Sequence, residues 1–569
     1  MDNKEVATGV QDFESMRGPS AFYVDKSDFI TQWWEGLDAV TLITRPRRFG
    51  KTLNMSMLNC FFSNRYANRG DLFEGLRVWN HQSIRKEQGT WPVIFLSFAG
   101  VKGATFEETV QIIKKLIVFQ YSSFPELWNA DCFDENEKKA LNAICDDMSD
   151  VDLSMSLYLL SRLLHKYYGK KVLIFLDEYD TPLQEAWLSG YWSELVKLIR
   201  TLFNNTFKTN PSLERAVLTG ITRVSKESIF SDLNNLVVVT TTSPKYETCF
   251  GFTSEEVFHA MMEMGFNETE QAAVKSWYDG FTFGKVPGIY NPWSVVNFLN
   301  ERKIDVYWTN SSSNGLISRL LQQASAGVKS HFETLMNGGT IRMPLDEQIV
   351  FEQLGKKQSA IWSLLLASGY LKVVSVDDSD LYQTSSANKV YYTLTITNRE
   401  VRKMFEDLIT EWFEESEALP EFVRAMLQGN VTDMNRYMND VALSVFSSFD
   451  SGTKPSEKTP ERFYHGFVLG LLVDQAPEYD LKSNRESGYG RYDVVLEPKA
   501  ISRPAVIMEF KVLDAEGGEK SLADTAENAL RQIDENKYET DLINRGIPPE
   551  NILKYGLAFQ GKKCLIVKG

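Results

Sequence analysis

Three consecutive residues, Gly50, Lys51 and Thr52, have the types on which a phosphate-binding loop ends. In such a loop the glycine lets backbone amides face phosphate, the lysine reaches the β and γ oxygens, and the threonine hydroxyl binds Mg²⁺. The usual pattern opens on glycine, whereas this chain has Arg45. The strand-like "AVTLIT" before the loop and the helical "LNMSMLNCFF" after it keep the order that a phosphate site requires.

A second group of polar residues follows two apolar runs. "KVLIFLDEYD" ends in Asp177 and Glu178, at the edge where open α/β sheets bind ligands. Asp177 could hold Mg²⁺, directly or through water, and Glu178 could polarise an attacking water. "RAVLTGITR" places Thr219 at a strand end, with Thr222 and Arg223 just beyond, where a hydroxyl and a cation could meet developing charge. The plainer alternatives are solvated acids and a threonine that bonds locally.

A third group lies in "RYDVVLEPKAISRPAVIMEFKV". Residues two apart on a strand point to one face, so Glu509 and Lys511 project together, and Asp493 lies on the preceding strand. Charges in an apolar sheet are costly unless they bind something. Asp493 and Glu509 offer oxygen ligands for Mg²⁺, while Lys511 could activate water and stabilise a pentavalent phosphate. The alternative is a surface strand with alternating charges, which the apolar flanks disfavour.

These residues need strands that end at one edge of a sheet and helices that cover it. Before residue 300, short apolar runs alternate with helical patterns, as in parallel sheets buried on both faces. The predicted strands are "AVTLITR", "VIFLSFA", "KVLIFLDE" and "RAVLTGIT", and the predicted helices are "TFEETVQIIKKLIVFQYSSF" and "SMSLYLLSRLLHKYYG". The pattern predicts an α/β layered domain over residues 1–300.

Residues 301–446 change to helices with a short β-ribbon. "SAIWSLLLASGYLKVVSV" runs from helix into strand, "KVYYTLTIT" is a second strand, and "NREVRKMFEDLITEWFEE" begins a helix at an Asn cap. This order predicts a helical middle domain, either winged-helix-like or a plain spacer. A polar seam, 447–461, leads into a second α/β domain over 459–569, with helices "RFYHGFVLGLLVD" and "TAENALRQIDENKYE" and one last strand, "YGLAFQGKKCLIVK".

Length, charge and cysteine usage narrow the class of protein. A chain of 569 residues is too long for one core. Its five scattered cysteines indicate neither a disulfide framework nor a zinc site and fit a reduced cytoplasm. A net charge of −15 does not favour bulk attraction to nucleic acid, so such contact needs a local basic patch. With no membrane-length apolar run and no secretory signal, we expect a soluble cytoplasmic protein.

The N-terminal motifs resemble those of one protein family. Residues 20 to about 300, with "FYVDKSDFI", "RPRRFGKTLNMSML", "FLDEYDTPL", "LTGITRVSKESIFSDLNNL", "WYDGFTFG" and "IYNPWSVVNFL", resemble a bacterial AAA-ATPase-like domain related to archaeal-type ATPases. The resemblance implies a P-loop NTPase fold with a lid region, and it makes the opening arginine a family trait. It implies ATP-binding residues Arg45, Pro46, Arg47, Arg48, Phe49, Gly50, Lys51, Thr52, Leu53, Asp177 and Thr219. The implied catalytic residues are Glu178 and Arg223, the latter acting in its own chain or in a neighbouring copy of a homo-oligomer.

The C-terminal motifs resemble the PD-(D/E)XK nuclease superfamily, specifically the nuclease-like domain that often ends chains of this ATPase group. "ERFYHGFVLGLL", "SNRESGYGRYDVVL", "IMEFKV" and "ALRQIDENKY" carry the resemblance over residues 459–569. It implies a restriction-endonuclease-like α/β fold with Asp493, Glu509 and Lys511 as its core, Glu461 as a further metal ligand and Gln532 as a catalytic residue. Residues expected near this core are Glu486, Arg491 and Tyr538, and a local basic edge comprises Lys482, Arg485, Arg491 and Lys511.

Together, the motifs and the two resemblances predict an ATP-binding and ATP-hydrolysing protein whose nucleotide state controls a Mg²⁺-dependent nuclease. DNA is the expected nucleic acid, and defence against mobile elements the expected role, both by analogy. The alternative is a non-catalytic ATP-dependent switch or scaffold that binds a protein or nucleic acid and has an inactive nuclease fold. No membrane partner is expected.

Overall fold

The computed structural model describes part of the chain: residues 6–18, 21–222, 229–230, 233–309, 315–322, 324, 326–336, 338–345, 358–377, 390–414, 419–445, 478–483, 486–487, 490–491, 493–513, 519–560 and 563–569. The chain divides into two compact units. One comprises Met1–Leu316 with Arg342–Arg402, and the other comprises Ile317–Ile341 with Lys403–Gly569. Each unit thus takes part of the expected middle region, and the three-domain boundaries stay a prediction.

The first unit contains a five-stranded parallel sheet, which confirms the predicted α/β fold. Its strands are β1 Val40–Thr44, β2 Val93–Ser97, β3 Val172–Asp177, β4 Leu213–Gly220 and β5 Leu236–Val239. The order across the sheet is β2-β3-β4-β1-β5, and every neighbouring pair is parallel. Four strands match the predicted runs, whereas β5 was not predicted. Because the strands are parallel, Thr44, Asp177 and Gly220 all lie at one edge of the sheet.

Helices surround this sheet and fill the rest of the unit. They are α1 Phe13–Met16, α2 Asp28–Glu35, α3 Lys51–Phe62, α4 Gln82–Arg85, α5 Phe106–Ser122, α6 Glu135–Asn142, α7 Asp150–Tyr168, α8 Thr181–Ser189, α9 Trp192–Phe207, α10 Ser254–Glu263, α11 Glu268–Tyr278 and α12 Pro292–Glu301. The predicted helices correspond to α5 and α7. Thr105 caps the N-terminus of α5, because its side chain accepts a hydrogen bond from the amide of Glu108. The helix therefore begins directly after a residue type that favours the cap position.

Two small sheets complete the unit. The first has the order β6-β8-β7, with β6 Phe252–Thr253, β7 Asp279–Phe283 and β8 Val286–Tyr290. The second has the order β10-β11-β9, with β9 Ile341–Pro344, β10 Leu371–Asp377 and β11 Tyr391–Ile396. The predicted ribbon is therefore present and gains a third strand.

The remaining helices of the described residues are α13 Gly315–Gln322, α14 Ala326–Met336, α15 Gln358–Ala367, α16 Arg399–Glu414, α17 Leu419–Gln428, α18 Val431–Val445, α19 Leu522–Glu535 and α20 Thr540–Asn544.

The predicted Asn cap is confirmed at α16, because the side chain of Asn398 accepts a hydrogen bond from the amide of Val401 at 3.0 Å. The winged-helix-like alternative for this region stays a prediction.

The second unit contains a mixed five-stranded sheet of order β12-β15-β16-β17-β18. Its strands are β12 Tyr479–Ser483, β15 Val494–Pro498, β16 Ala505–Val512, β17 Ile552–Gln560 and β18 Lys563–Lys568, and a separate ribbon pairs β13 Glu486–Ser487 with β14 Gly490–Arg491. Only β16 and β17 are parallel. The prediction of one last strand was wrong, because its residues form two separate strands, β17 and β18, that pair antiparallel. The predicted helix "RFYHGFVLGLLVD" lies outside the described residues.

The two faces of this sheet bury different residues because side chains alternate along each strand. On one face, Val494, Met508 and Phe510 pack with Met426 of α17 and Met434 of α18. The opposite face packs against α19 and the turn that follows it, with a core of Val495, Ala505, Ile507, Ile533 and Tyr538. The odd-numbered positions 493, 509 and 511 therefore belong to the α19 face.

Helix α18 also covers the edge of the sheet. The side-chain amide of Asn435 donates to the carbonyl of Ile566 and accepts from its amide, both at 2.8 Å. One turn later, Asn439 makes the same pair of bonds to Cys564, at 2.9 and 3.1 Å. The two asparagines are four positions apart on α18, and the β18 residues that they bond are two positions apart. Each asparagine thus hydrogen-bonds the amide and the carbonyl of one edge-strand residue, as a neighbouring strand would.

Candidate functional site

The loop between β1 and α3 has the geometry of a phosphate site. β1 ends at Thr44 and α3 begins at Lys51, so the first amides of a twelve-residue helix follow the loop directly. Gly50 precedes the helix with a left-handed φ of 78°, which glycine adopts without strain. Arg48 also has a left-handed φ, 65°, in a residue that rarely adopts it. The loop is thus tightly turned despite lacking the opening glycine.

The Arg45 side chain faces into the protein. Its guanidinium is fully buried and donates to the carbonyls of Thr44 at 2.9 Å and Thr240 at 2.7 Å. The rings of Phe250 and Phe283 lie 5.5 and 4.7 Å from it. Burial lowers the pKa of Arg45 to about 10. The charge of Arg45 thus satisfies backbone carbonyls, while its backbone amide donates to the carbonyl of Gly220 at 3.1 Å. The place of Arg45 among the ATP-binding residues stays a prediction.

Lys51 lies inside the loop that it ends. Its ammonium donates to the carbonyls of Arg45 at 3.0 Å and Pro46 at 2.9 Å. The side chain is buried, and burial lowers the pKa of Lys51 while the nearby Glu178 and Asp177 carboxylates oppose that shift. A cation held on loop carbonyls beside two acids is placed to exchange those carbonyls for phosphate oxygens.

Asp177 brings together the ends of three elements. Its carboxylate accepts a 2.8 Å hydrogen bond from the hydroxyl of Thr52 on α3. It also accepts one from the hydroxyl of Thr219 on β4. Burial raises the pKa of Asp177, whereas the two hydroxyl donors lower it. The structure therefore places Thr52, Asp177 and Thr219 in one row of hard oxygen atoms.

Glu178 follows β3 in a left-handed conformation, with φ 51°. Such backbone strain persists only where surrounding contacts maintain it, and it often marks functional sites. The amide of Glu178 lies 3.4 Å from the Thr219 hydroxyl, and the Thr181 hydroxyl donates to its carboxylate at 3.1 Å. The Glu178 carboxylate is half-buried and thus partly open to solvent beside Asp177. Leu53, also half-buried, lies in the first turn of α3, and Arg223 lies outside the described residues.

The sequence did not reveal what holds the phosphate loop. Phe49 packs edge-on against Phe281 of β7, with ring centroids 4.8 Å apart. The guanidinium of Arg48 lies 4.3 Å from the Trp293 ring. Asn291 caps α12 and donates to the carbonyl of Arg47 at 3.3 Å. The only signal was the aromatic "WYDGFTFGKVPGIYNPW", parts of which the sequence analysis used only for the family resemblance. Arg47 is half-buried and makes no ion pair with any described residue.

Asp180 was also missed as a site residue, although "DEYD" contains it. It is 1% exposed, and its carboxylate accepts hydrogen bonds from the amides of Ile221 at 3.0 Å and Thr222 at 2.8 Å. The segment after β4 is thereby attached to the turn after β3.

The second unit brings together the residues expected at its metal site. In the register of β15 with β16, Val494 pairs with Met508, so the next position along places Asp493 opposite Glu509. Asp493 accepts a 3.0 Å hydrogen bond from the amide of Phe510. Glu509 is 4% exposed, and Lys511 is half-buried on the same face. Asp493, Glu509 and Lys511 thus share the α19 face of the sheet, and alternation had placed Glu509 and Lys511 together there; their roles stay a prediction.

Helix α19 and its following turn contact this cluster. The Gln532 side chain donates to the Glu509 carboxylate and lies 3.3 Å from the Tyr538 hydroxyl. Asn536 donates to the same hydroxyl at 3.1 Å. Glu509 is therefore oriented from the helix.

The expected basic edge is described only in part. Lys482 forms an ion pair with the buried Glu497, which also pairs with Arg545. The single carboxylate of Glu497 offsets only part of these two positive charges, and the basic edge stays a prediction. Lys511 makes no ion pair with any described residue. Glu461 and Arg485 lie outside the described residues, and for Glu486 and Arg491 only their backbone pairing across β13 and β14 is described.

The described residues contain no group of three or more His, Cys, Asp or Glu side chains that could hold a metal ion. Among the described residues, each candidate site offers two carboxylates with hydroxyl or amide neighbours, a donor set that suits Mg²⁺ shared with phosphate oxygens. Within the same residues no helix is long and apolar enough to cross a membrane.

Comparison with known proteins agrees with this geometry. Residues 7–230 match the family model described as predicted AAA-ATPase, and residues 459–569 match the model of the PD-(D/E)XK nuclease superfamily. A protein of Azotobacter chroococcum mcd 1, named as an uncharacterized protein in the vnfD 5' region, is 23% identical over 556 residues. That similarity covers 96% of this chain and 95% of the relative.

Proposed function

Residues 7–230 of this chain carry an AAA-ATPase-like domain and residues 459–569 a domain of the PD-(D/E)XK nuclease superfamily; on this premise we propose a nucleotide-regulated nuclease. The first domain binds and hydrolyses ATP, and its nucleotide state controls Mg²⁺-dependent cleavage of DNA by the second. The observation that carries the first half is the row of Thr52, Asp177 and Thr219 beside Lys51. Defence against mobile elements is the proposed cellular role.

For the ATPase, positioning and electrostatics supply the catalysis. Lys51 and the amides at the start of α3 bind the phosphates, and Thr52 with Asp177 holds Mg²⁺. Bound Mg²⁺ would neutralise charge on the phosphate oxygens. Glu178 orients the attacking water, a role that its partly open carboxylate beside Asp177 supports. Arg223 remains the proposed catalytic cation, within its own chain or from a neighbouring copy.

For the nuclease, Asp493 and Glu509 are the proposed metal ligands, with Glu461 as a third. Lys511 activates water and stabilises the negative charge that develops on the cleaved phosphate. Gln532 supports the site by fixing the orientation of the Glu509 carboxylate, as residues around metal ligands commonly do.

One experiment tests both halves together. Supercoiled plasmid is incubated with Mg²⁺, with and without ATP, and nicking is followed for the wild type, Lys51→Ala and Glu509→Ala. We expect Glu509→Ala to abolish nicking and Lys51→Ala to abolish its response to ATP. Exposed residues on the same domains supply the matched controls, Glu535→Ala and Lys115→Ala, which should behave as the wild type.

Direct nucleotide assays separate binding from hydrolysis. Lys51→Ala should abolish ATP binding, whereas Glu178→Gln should preserve binding and lower the turnover rate by about 10² or more. Binding that survives Lys51→Ala would show that the loop is not the nucleotide site.

A second function is favoured by one observation. Glu509 is 4% exposed and bonded to Gln532, which also suits a carboxylate kept only for packing. In that case the protein is an ATP-dependent switch or scaffold that holds a protein or nucleic-acid partner on an inactive nuclease fold. Nicking that is equal in the wild type, Glu509→Ala and Lys511→Ala would favour this alternative.

A further inference from the structure

Tyr179 and Asp180, the two residues that follow Glu178, make three hydrogen bonds with Thr222. The Asp180 carboxylate accepts from its amide and from its hydroxyl, both at 2.8 Å. The Tyr179 hydroxyl donates to its carbonyl at 2.7 Å. Thr222 is itself 1% exposed. The backbone and side chain of one residue after β4 are thus fixed by the turn after β3.

The two turns also fit closely at Gly220. A Cβ atom there would lie 2.6 Å from the Tyr179 ring and 2.7 Å from an oxygen of Asp180. A Cβ atom essentially never lies this close to a non-bonded heavy atom, so any larger residue would push the turns apart. The small residue ending β4 and the large residues after β3 are therefore complementary.

Burying the carboxylate of Asp180 costs free energy unless hydrogen bonds or nearby charges compensate for the lost water. Burial raises the pKa of Asp180, while the donors on Thr222 and the positive charge of Lys51 lower it. A fold that needed only packing at this position could use an apolar residue of similar size. The carboxylate instead accepts four hydrogen bonds, from the Ile221 amide, the Thr222 amide and hydroxyl, and the Gln184 side chain.

We propose that Asp180 is a positioning residue for ATP hydrolysis: it fixes Thr222, and with it the end of β4 that carries Thr219, relative to Asp177 and Glu178. The inference rests on the proposed ATPase function and deepens it. Asp180 acts through Thr222 and makes no contact with the nucleotide.

The test separates the turnover rate from binding. Asp180→Asn keeps the size of the side chain and removes its charge, and we expect at least a tenfold lower kcat with ATP affinity within about threefold of the wild type. Thr222→Val should lower kcat similarly, and the double variant should lose no more than about threefold beyond either single variant. Glu194→Gln, an exposed carboxylate on α9, is the matched control and should retain wild-type values.

A purely structural role would give a different result. It would lower the melting temperature, ATP affinity and kcat together, and that outcome would overturn the inference, as would additive losses in the double variant. Should Asp180→Asn fail to fold, Tyr179→Phe removes one hydroxyl from the same contact and is expected to lower kcat without changing affinity.

A measurement without turnover keeps this inference distinct from the proposed function. Amide hydrogen exchange of the peptide covering residues 213–222 reports on the amides of Ile221 and Thr222. We expect Asp180→Ala to raise exchange at these two amides while β4 stays protected. A wild type that binds ATP without hydrolysing it would refute the ATPase function, whereas unchanged exchange in Asp180→Ala would refute the contact itself.

Discussion

The hydroxyl of Thr52 donates a 2.8 Å hydrogen bond to the carboxylate of Asp177, joining residues 125 positions apart in the sequence. Thr52 lies in the first turn of the helix after the phosphate loop and Asp177 ends a buried strand, so both oxygen atoms meet where the parallel strands end. This contact defines where Mg²⁺ would be held together with a nucleotide, and it is the starting point for the first prediction.

Thr52→Val should remove the Mg²⁺ dependence of ATP binding. Valine has the shape of threonine without the hydroxyl, so the gain in affinity on adding Mg²⁺ should fall at least tenfold. Affinity without Mg²⁺ should change little, because Lys51 and the loop amides remain. Thr52→Ser keeps the hydroxyl and should behave as the wild type. Titration of a fluorescent ATP analogue with and without Mg²⁺ measures both, and an intact Mg²⁺ effect in Thr52→Val would contradict this site.

Arg45→Met should destabilise the first unit through the carbonyls that it leaves without a donor. The guanidinium donates to Thr44 and Thr240, and the loss of such buried bonds costs about 3 kcal/mol. For a domain of this size that corresponds to a melting temperature lower by roughly 6–12 °C. Arg48→Gln, at an exposed loop position, should shift melting by only about 1–2 °C. Equal melting temperatures for the two variants would contradict a structural role for Arg45.

Replacing Asn435 and Asn439 by leucine should open the edge of the C-terminal sheet. The double variant loses four hydrogen bonds to β18, which we expect to cost roughly 2–4 kcal/mol, and it exposes strand groups to pairing between copies. The expected result is a lower melting temperature and concentration-dependent light scattering. Arg436→Ala, on the exposed face of the same helix, is the control. A soluble double variant of unchanged stability would show that the edge needs no cover.

Glu400 should make stability depend on pH near neutrality. Its carboxylate is buried, accepts 2.7 and 2.6 Å hydrogen bonds from the Ser294 hydroxyl and the Trp308 amide, and has a pKa raised by burial from 4.5 to about 7. Between these values the folded state keeps a proton that the unfolded state has lost. Stability therefore falls as pH rises from about 4.5 to about 7, by at most about 3 kcal/mol.

Thermal melting between pH 5 and pH 8 measures this effect in the wild type and in Glu400→Gln, which stays uncharged throughout. The melting temperature of the wild type should fall more over this range than that of the variant. Parallel pH profiles would mean that Glu400 does not titrate in this window.

Much of the fold was predictable because it depends on local patterns. Four of the five strands of the N-terminal sheet are short β-branched runs, and the Asn398 cap was recognisable from residue type alone. Alternation also placed Glu509 and Lys511 on one face. The exception among the strands, Leu236–Val239, is only four residues long. The last stretch, predicted as one strand, forms the two antiparallel strands β17 and β18.

The sequence by itself determined which residues could bind phosphate and metal: Lys51, Thr52, Asp177, Asp493 and Glu509 have the right chemical types in the right local order. Only the tertiary structure decided the direction of the Arg45 side chain, the packing of Phe281 and Trp293 on the phosphate loop, and the attachment of Asp180 to Thr222. Those contacts join residues about 40 to 250 positions apart. A local pattern fixes the type and spacing of residues along one element, but the partner of a buried side chain depends on which elements pack together.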